Sequence, residues 1–289
     1  MIDAFLTATF FVQVLRIAVP YALAAMGGAI TERAGVIDLA IEAKLLFGAF
    51  AAAAVGHATG SAWMGVLGGI GAGMLVAGVQ VLCALRLGAD QVIVGVALNV
   101  LALGGTRFLL QLVYGEGANS PPVPTFGHAT FTNPVVWLAI LAAIATPIAV
   151  ARTRWGLRLR AAGDRPDSLV AVGVPPFRPR LAAALVGGAL AGAGGAQLTL
   201  SVGGFVADMS GGRGYIALAM VILSGWRPAL AALGCVVVAL AEAINIQLQV
   251  GSVGIPHELA QLAPYALTLV VLIVAGGKRT RPPRSLGQI

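Results

Sequence analysis

The chain predicts an all-α fold, a polytopic helical membrane protein of about eight to nine crossings, and three observations carry that prediction. Of its 289 residues, 58% are hydrophobic and 10% charged, against about 25% charged in an ordinary soluble domain, and the mean hydropathy is +0.93. Residues 45–85 and 181–207 are uncharged runs, whereas membrane-spanning barrels alternate apolar and polar residues in segments of about ten. The positive charge is gathered in short stretches between apolar segments, the pattern that sets orientation in a membrane.

At about 20 residues per crossing, the apolar segments are 5–29, 39–55, 63–85, 91–112, 134–151, 181–202, 215–225, 228–248 and 259–277. The first opens behind Asp3, carries Arg16 at its middle and offers no cleavage site, so it reads as a retained helix rather than a secretory signal. Arg16, one turn before Pro20, is expected to pair with an interior carboxylate. The fourth carries Asn99, the sixth Gln197 and Thr199, and the eighth Glu242 and Asn245 three apart on one face, a polar seam. The seventh, 11 residues long, is short for a full crossing and reads as part of a tilted or broken helix. Cys83 and Cys235 both lie in apolar runs, which suggests small core residues rather than a disulfide or a zinc site.

Sidedness follows from the arginines. Arg152, Arg154, Arg158, Arg160, Arg165, Arg178 and Arg180 share the loop 152–180, and Lys278, Arg279, Arg281 and Arg284 form the tail 278–289. Both are expected to face the cytoplasm, and an even number of helices joins them. The same parity puts Arg86 and Arg227 inside, and the loop 113–133, with Pro121, Pro122 and Pro124, outside. The net charge of +7 is therefore topological, facing lipid headgroups rather than nucleic acid. Apart from these loops the chain reads as one multi-pass transmembrane domain over 1–289, with its C-terminus cytoplasmic.

Two stretches break the apolar rule. In 31–44, TERAGVIDLAIEAK, the residues Glu32, Arg33, Asp38, Glu42 and Lys44 crowd into 13 positions. Charges there cost roughly 2.5 to 3.5 kcal/mol each at a helix centre, so they mark a membrane edge or a cavity. The other stretch is the middle of the basic loop. Asp164 fits a helix cap, Pro166 its first turn, and Asp167 the positive helix end; Gly173 and Pro175-Pro176 stop it. The expected product is a helix of about two turns bearing Leu169, Val170 and Val172, held at the cytoplasmic face and able to dock on a soluble partner.

In order along the chain, ERAGVIDLAIEAKLLFGAF, GADQVIVGVALNVLALG, GLRLRAAGDRPDSLVAVGV, GALAGAGGAQLTL and GGRGYIALAMVILSGWRP resemble the permease subunits of bacterial ABC importers. The class is that of branched-chain and simple-sugar permeases, and the branch is the nucleoside, basic-membrane-protein-linked one. The resemblance implies import of nucleosides or simple sugars, no cofactor bound by this chain, and ATP with Mg acting through a partner. The implied partners are an ATP-binding cassette subunit, a second permease (a paralogue or a second copy) and an extracytoplasmic solute-binding protein. Ala162 and Gly163 with Gly173 match the segment that forms the coupling helix of such permeases, which assigns ATPase coupling to Ala162, Gly163, Asp164, Pro166, Leu169, Val170 and Gly173. Residues 32–43 resemble a stretch with a broken helix near the translocation path, and the expected pathway residues are Glu32, Asp38, Glu42, Asn99 and Arg213. The chain departs from that pattern at Asp38, where asparagine is common, and at Ala43-Lys44, where glycine-methionine is common.

Residues 35–41 also echo 214–220, each behind an arginine, Arg33 or Arg213, and each leading into an apolar helix. The echo suggests a two-part internal repeat whose turns face one pathway. Catalysis is disfavoured. No GxxxxGK[ST] loop occurs, and His57, His128 and His257 all fall in expected external turns, away from any buried nucleophile. A secondary transporter or channel remains the alternative, with Glu32, Asp38, Glu42 or Glu242 carrying protons. A docking helix argues against it.

Overall fold

In a computed structural model, which describes residues 8–127, 130–250 and 282–288, the chain is helical as its composition demands. The helices are α1 (Ala8–Arg33), α2 (Ile41–Thr59), α3 (Ala62–Leu85), α4 (Gln91–Tyr114), α5 (Pro134–Arg152), α6 (Arg154–Asp164), α7 (Pro166–Ala171), α8 (Phe177–Val202), α9 (Arg213–Leu223) and α10 (Pro228–Val250). Seven of these, α1 to α5, α8 and α10, are long and apolar enough to cross a membrane. The expected crossing at 259–277, Lys278, Arg279, Arg281, His128 and His257 lie outside the described residues.

The boundaries follow local chemistry. The Asp90 carboxylate accepts from the amides of Val92 and Ile93 to start α4, and Asn133 accepts from Val135 to start α5 ahead of Pro134. Glycines in the left-handed region, Gly60, Gly115 and Gly203, close α2, α4 and α8. The α1 helix runs past the expected end at 29 to Arg33, which places a cation in its last turn where the helix dipole favours one.

The core forms around α8, which packs against α1, α2 and α3. Small residues make this packing close: Gly187 meets the backbone of Gly27, Gly192 that of Gly69, and Gly195 that of Leu45, at distances where a Cβ would collide. Between helices already in an apolar solvent such backbone proximity is a main source of attraction. Outward residues such as Leu101, Leu141 and Leu233 are exposed, a surface suited to lipid.

The basic loop differs from expectation. It holds two helices, α6 and α7, instead of one. Thr153 caps α6 by accepting from Gly156, and Asp164 is the last residue of α6 rather than a cap. Arg165 takes the cap position of α7 and makes no side-chain cap bond. The tight Asp164–Pro166 step lets one helix end directly where the next begins. Arg16 also departs from expectation: its guanidinium bonds the carbonyl of Ser201 and forms no ion pair among the described residues.

Candidate functional site

Two interrupted crossings meet inside the bundle. In the first, residues 34–40 leave α1 without helical structure and climb back into the bundle before α2 starts. Every such backbone group must find a partner within the protein, because lipid offers none. Gln91 Oε1 accepts from the Ile37 amide at 2.8 Å, and Gln80 Nε2 donates to the Ile37 carbonyl at 2.9 Å. Glu32 Oε1 accepts from the Asp38 amide at 3.2 Å, and its Oε2 from Trp226 Nε1 at 2.6 Å. Ala40 supplies no side-chain cap to α2. Asn99 does so from α4, accepting from the Ala43 amide at 3.0 Å and donating to the Leu39 carbonyl at 2.8 Å.

The second interruption is residues 203–212, between α8 and α9. Its outer part pairs with the loop after α4: Ser120 donates to Phe205 at 2.8 Å, Val123 to Gly203 at 2.9 Å and Ala207 to Ala118 at 2.8 Å. Its inner part ends at Gly212, which lacks a capping side chain of its own. Glu42 fills the gap, accepting from the amides of Gly212 at 2.9 Å and Gly214 at 2.6 Å. The starts of α2 and α9 are thereby joined, two positive helix ends sharing one carboxylate. The echoing segments 35–41 and 214–220 are neighbours in space, although the first precedes its helix and the second lies within one. The α9 helix, 11 residues long and so about 16 Å, covers roughly half of a hydrocarbon core of about 30 Å.

Arg213 opens α9 and reaches the other way. Its guanidinium meets Glu242 Oε1 at 2.9 Å, donates to the carbonyls of Met209 and Ser210 and lies over the Tyr21 ring at 5.6 Å. Tyr21 Oη donates to Glu242 Oε2 at 2.8 Å. Above this group is a cavity of about 400 Å³, to which Gln13, Arg16, Ser201 and Arg213 bring polar groups and Ile17, Val202 and Met209 apolar ones. That volume falls in the range of small-molecule sites.

Of the five expected pathway residues, Arg213 lines this cavity. Glu32, Asp38, Glu42 and Asn99 do not line it and are buried, bonded to backbone groups, to Trp226 or to Lys44. Asp38 forms an ion pair with Lys44 at 2.5 Å, with the two side chains 1% and 0% exposed. No cluster of three or more metal-ligating side chains occurs among the described residues.

On the basic face, the expected coupling residues divide by exposure. Ala162, Gly163 and Leu169 are buried, Pro166 is half-buried, and Asp164, Val170 and Gly173 are exposed, with Val172 beside them at 71% exposure. Gly163 is pressed on the carbonyl of Arg33 at the end of α1. The C-terminal segment clamps the same junction. The Ser285 amide donates to Gly163 O at 2.8 Å, its hydroxyl to Ala162 O at 3.0 Å, and the Gly287 amide to Gly35 O at 3.1 Å. Sequence reasoning missed Lys44 as the partner of Asp38, Trp226 and Tyr21 as donors to buried carboxylates, and Ser285 altogether. A signal existed only for Trp226, which stands beside Arg227 in the gap between the apolar segments 215–225 and 228–248; in the structure it adopts φ 58° there.

Interrupted helices, a polar group at their meeting point and a basic-face hairpin touching the interruption are features of a transport component, and comparison with known proteins agrees. The family model described as the branched-chain amino acid transport system permease component matches residues 10–272. A putative glucose ABC transporter permease of Haloferax volcanii is 35% identical over 78% of this chain and 74% of its own. A nucleoside ABC transporter permease of Lactococcus lactis is 30% identical, covering 91% and 90%, and a guanosine ABC transporter permease of Bacillus subtilis 29% identical, covering 92% and 91%. No solved structure matches significantly. With nearly its whole length matched and the helical architecture to go with it, the chain belongs to the branched-chain amino acid transport system permease family.

Proposed function

We propose that this chain is the membrane subunit of an ATP-driven importer of nucleosides, working with an ATP-binding cassette subunit, a second permease and an extracytoplasmic solute-binding protein. The observation that carries the reading is the contact between the α6–α7 hairpin and the interruption after α1, through Gly163, Arg33, Ser285 and Gly35. A push on the exposed Val170 and Val172 by a motor at the cytoplasmic face reaches residues 34–40 without crossing a flexible linker. From there Glu42 carries it to the start of α9 and hence to Arg213 at the cavity. ATP and Mg act on the motor, and this chain contributes the mechanical half of the cycle.

The choice of nucleosides rests on the names of two relatives and on a cavity that offers guanidinium, amide and hydroxyl groups to a neutral polar solute. Glucose, named for a third relative, is the competing solute. The membrane carboxylates favour the motor-driven reading over proton coupling, since Glu32 and Glu42 are held by amide and indole donors and Asp38 by Lys44. The protein is assigned to the inner membrane with residues 152–180 and the C-terminus cytoplasmic; the bonds from Ser285 to Gly163 support a common side.

Uptake of labelled guanosine, uridine and glucose, in cells carrying the permease with its cognate partners, tests the proposal. Nucleoside uptake abolished by a hydrolysis-dead motor is expected. Uptake that survives the dead motor and collapses with the proton gradient overturns the importer reading, and glucose uptake alone overturns the solute.

A further inference from the structure

A second cavity, of about 410 Å³, lies at the basic end of the bundle, shares no lining residue with the one at Arg213, and is lined by three arginines. Arg33 comes from the end of α1, Arg160 from α6 and Arg227 from the turn before α10. Pro147, Val150 and Ala151 of α5, and Pro228, Ala229 and Leu230 of α10, complete the wall. None of the three arginines forms an ion pair among the described residues. Their other bonds are to carbonyls, Arg33 to Trp226 at 3.2 Å, and Arg160 to Gly156 at 3.4 Å and Ala151 at 3.3 Å. These fix the side chains without neutralising them. The charge of Asp164 offsets part of the field at Arg33, while Arg160 and Arg227 add to it.

The arrangement differs from ordinary cytoplasmic arginines that spread into water. Arg152, Arg154, Arg158 and Arg165 are exposed, and so is Arg227 on the lining of the cavity, whereas Arg33 and Arg160 are half-buried. The first turn of α10 adds its positive end, with the amides of Ala229 and Leu230 having no acceptor in the preceding turn. Like charges on the lining of one cavity repel, and an anion among them relieves that repulsion. Planar guanidiniums match phosphate oxygens in particular. Apolar groups complete the cavity beside the charges: Pro147 and Val150 of α5 line it with Leu230 of α10, which is 45% exposed, a surface suited to acyl chains beneath the headgroup.

We propose that this tri-arginine cavity binds the phosphodiester headgroup of an anionic phospholipid, and that the lipid seals the junction of α1, α5, α6 and α10. Basic pockets between transmembrane helices at the cytoplasmic face are suited to such headgroups. The site neither depends on the identity of the transported solute nor uses any residue of the cavity at Arg213.

The test takes the full-length protein, purified with its ATPase and passed into nanodiscs of phosphatidylcholine with or without phosphatidylglycerol. Retained phosphatidylglycerol is then counted by native mass spectrometry. The variant is Arg160→Gln with Arg227→Gln, and the charge-matched control Arg152→Gln with Arg154→Gln. Loss of two charge-assisted contacts is expected to lower retained phosphatidylglycerol by about tenfold or more and to remove its stabilising effect on thermal unfolding, with the control unchanged. Equal retention in variant and control overturns the proposal. Stabilisation by inorganic phosphate equal to that by phosphatidylglycerol reassigns the cavity to a free anion. Loss of the ATPase on purification, with lipid retention unaltered, reassigns it to the partner subunit.

Discussion

Lys44 is 0% exposed in a helix surrounded by apolar neighbours, and its ammonium meets Asp38 at 2.5 Å. A buried pair of this kind costs about as much in desolvation as it gains, yet removing one partner is strongly destabilising. Asp38 and Lys44, which both stand where the resemblance leads one to expect uncharged residues, are thus partners in one buried pair. Asp38→Asn alone is expected to lower stability by about 3 to 5 kcal/mol, seen as a loss of monodisperse protein in thermal-shift and size-exclusion measurements. Asp38→Asn with Lys44→Met is expected to recover it, and its failure to do so would show that Asp38 acts elsewhere. The charges of 32–44 were legible as anomalies because they violate composition locally. Lys44 stands only six residues from Asp38, but the amides on Glu42 and the indole on Glu32 lie between 170 and 194 residues away, and only folding brings them near. Asn99 illustrates the limit: an amide in an apolar helix gives the same sequence whether it faces solute or caps the helix next door, and here it caps α2.

At the scale of elements, most of the helices were legible because long apolar runs admit one solution in lipid. The short 215–225 segment announced an interrupted crossing by length alone. The basic loop was half legible. Proline and glycine marked α7, but the basic α6 lacks an apolar run and escaped notice, although Leu159 and Ala162 on one face are fully buried. This division changes how coupling is tested. Gly163 cannot accept a side chain without striking the carbonyl of Arg33, so Gly163→Leu is expected to lose folded protein rather than coupling alone. Val170→Asp with Val172→Asp alters only exposed positions. This variant is expected to insert normally and to lose solute-stimulated ATP hydrolysis at least tenfold, measured in proteoliposomes. Wild-type stimulation would remove α7 from the motor interface. Ser285→Ala removes a hydroxyl bonded to Ala162 and Gly163 while leaving the backbone clamp. A net loss of about 1 kcal/mol in stability and a partial fall in transport per ATP are expected, read from the ratio of uptake to hydrolysis.

For the whole molecule, parity and arginine distribution yielded a sidedness that the fold can be held against. The loop after α4 pairs with residues 203–207 at one end of the bundle, where Asn119 bridges Val206. The hairpin α6–α7, the turn at Trp226 and the C-terminal Ser285 gather at the other. Asn119 and Ser168 are both exposed, and they mark these two ends. A single cysteine at each, in a background with Cys83 and Cys235 replaced by alanine, reports which end faces out. A membrane-impermeant maleimide applied to intact spheroplasts is expected to label Asn119→Cys and to leave Ser168→Cys unlabelled until the membrane is opened. The reverse pattern would put the arginines outside and the coupling hairpin beyond reach of any cytoplasmic ATPase, so the same measurement that inverts the topology also removes the motor. Labelling at both positions in intact cells would mean that α5, the helix of crossing length between them, does not cross.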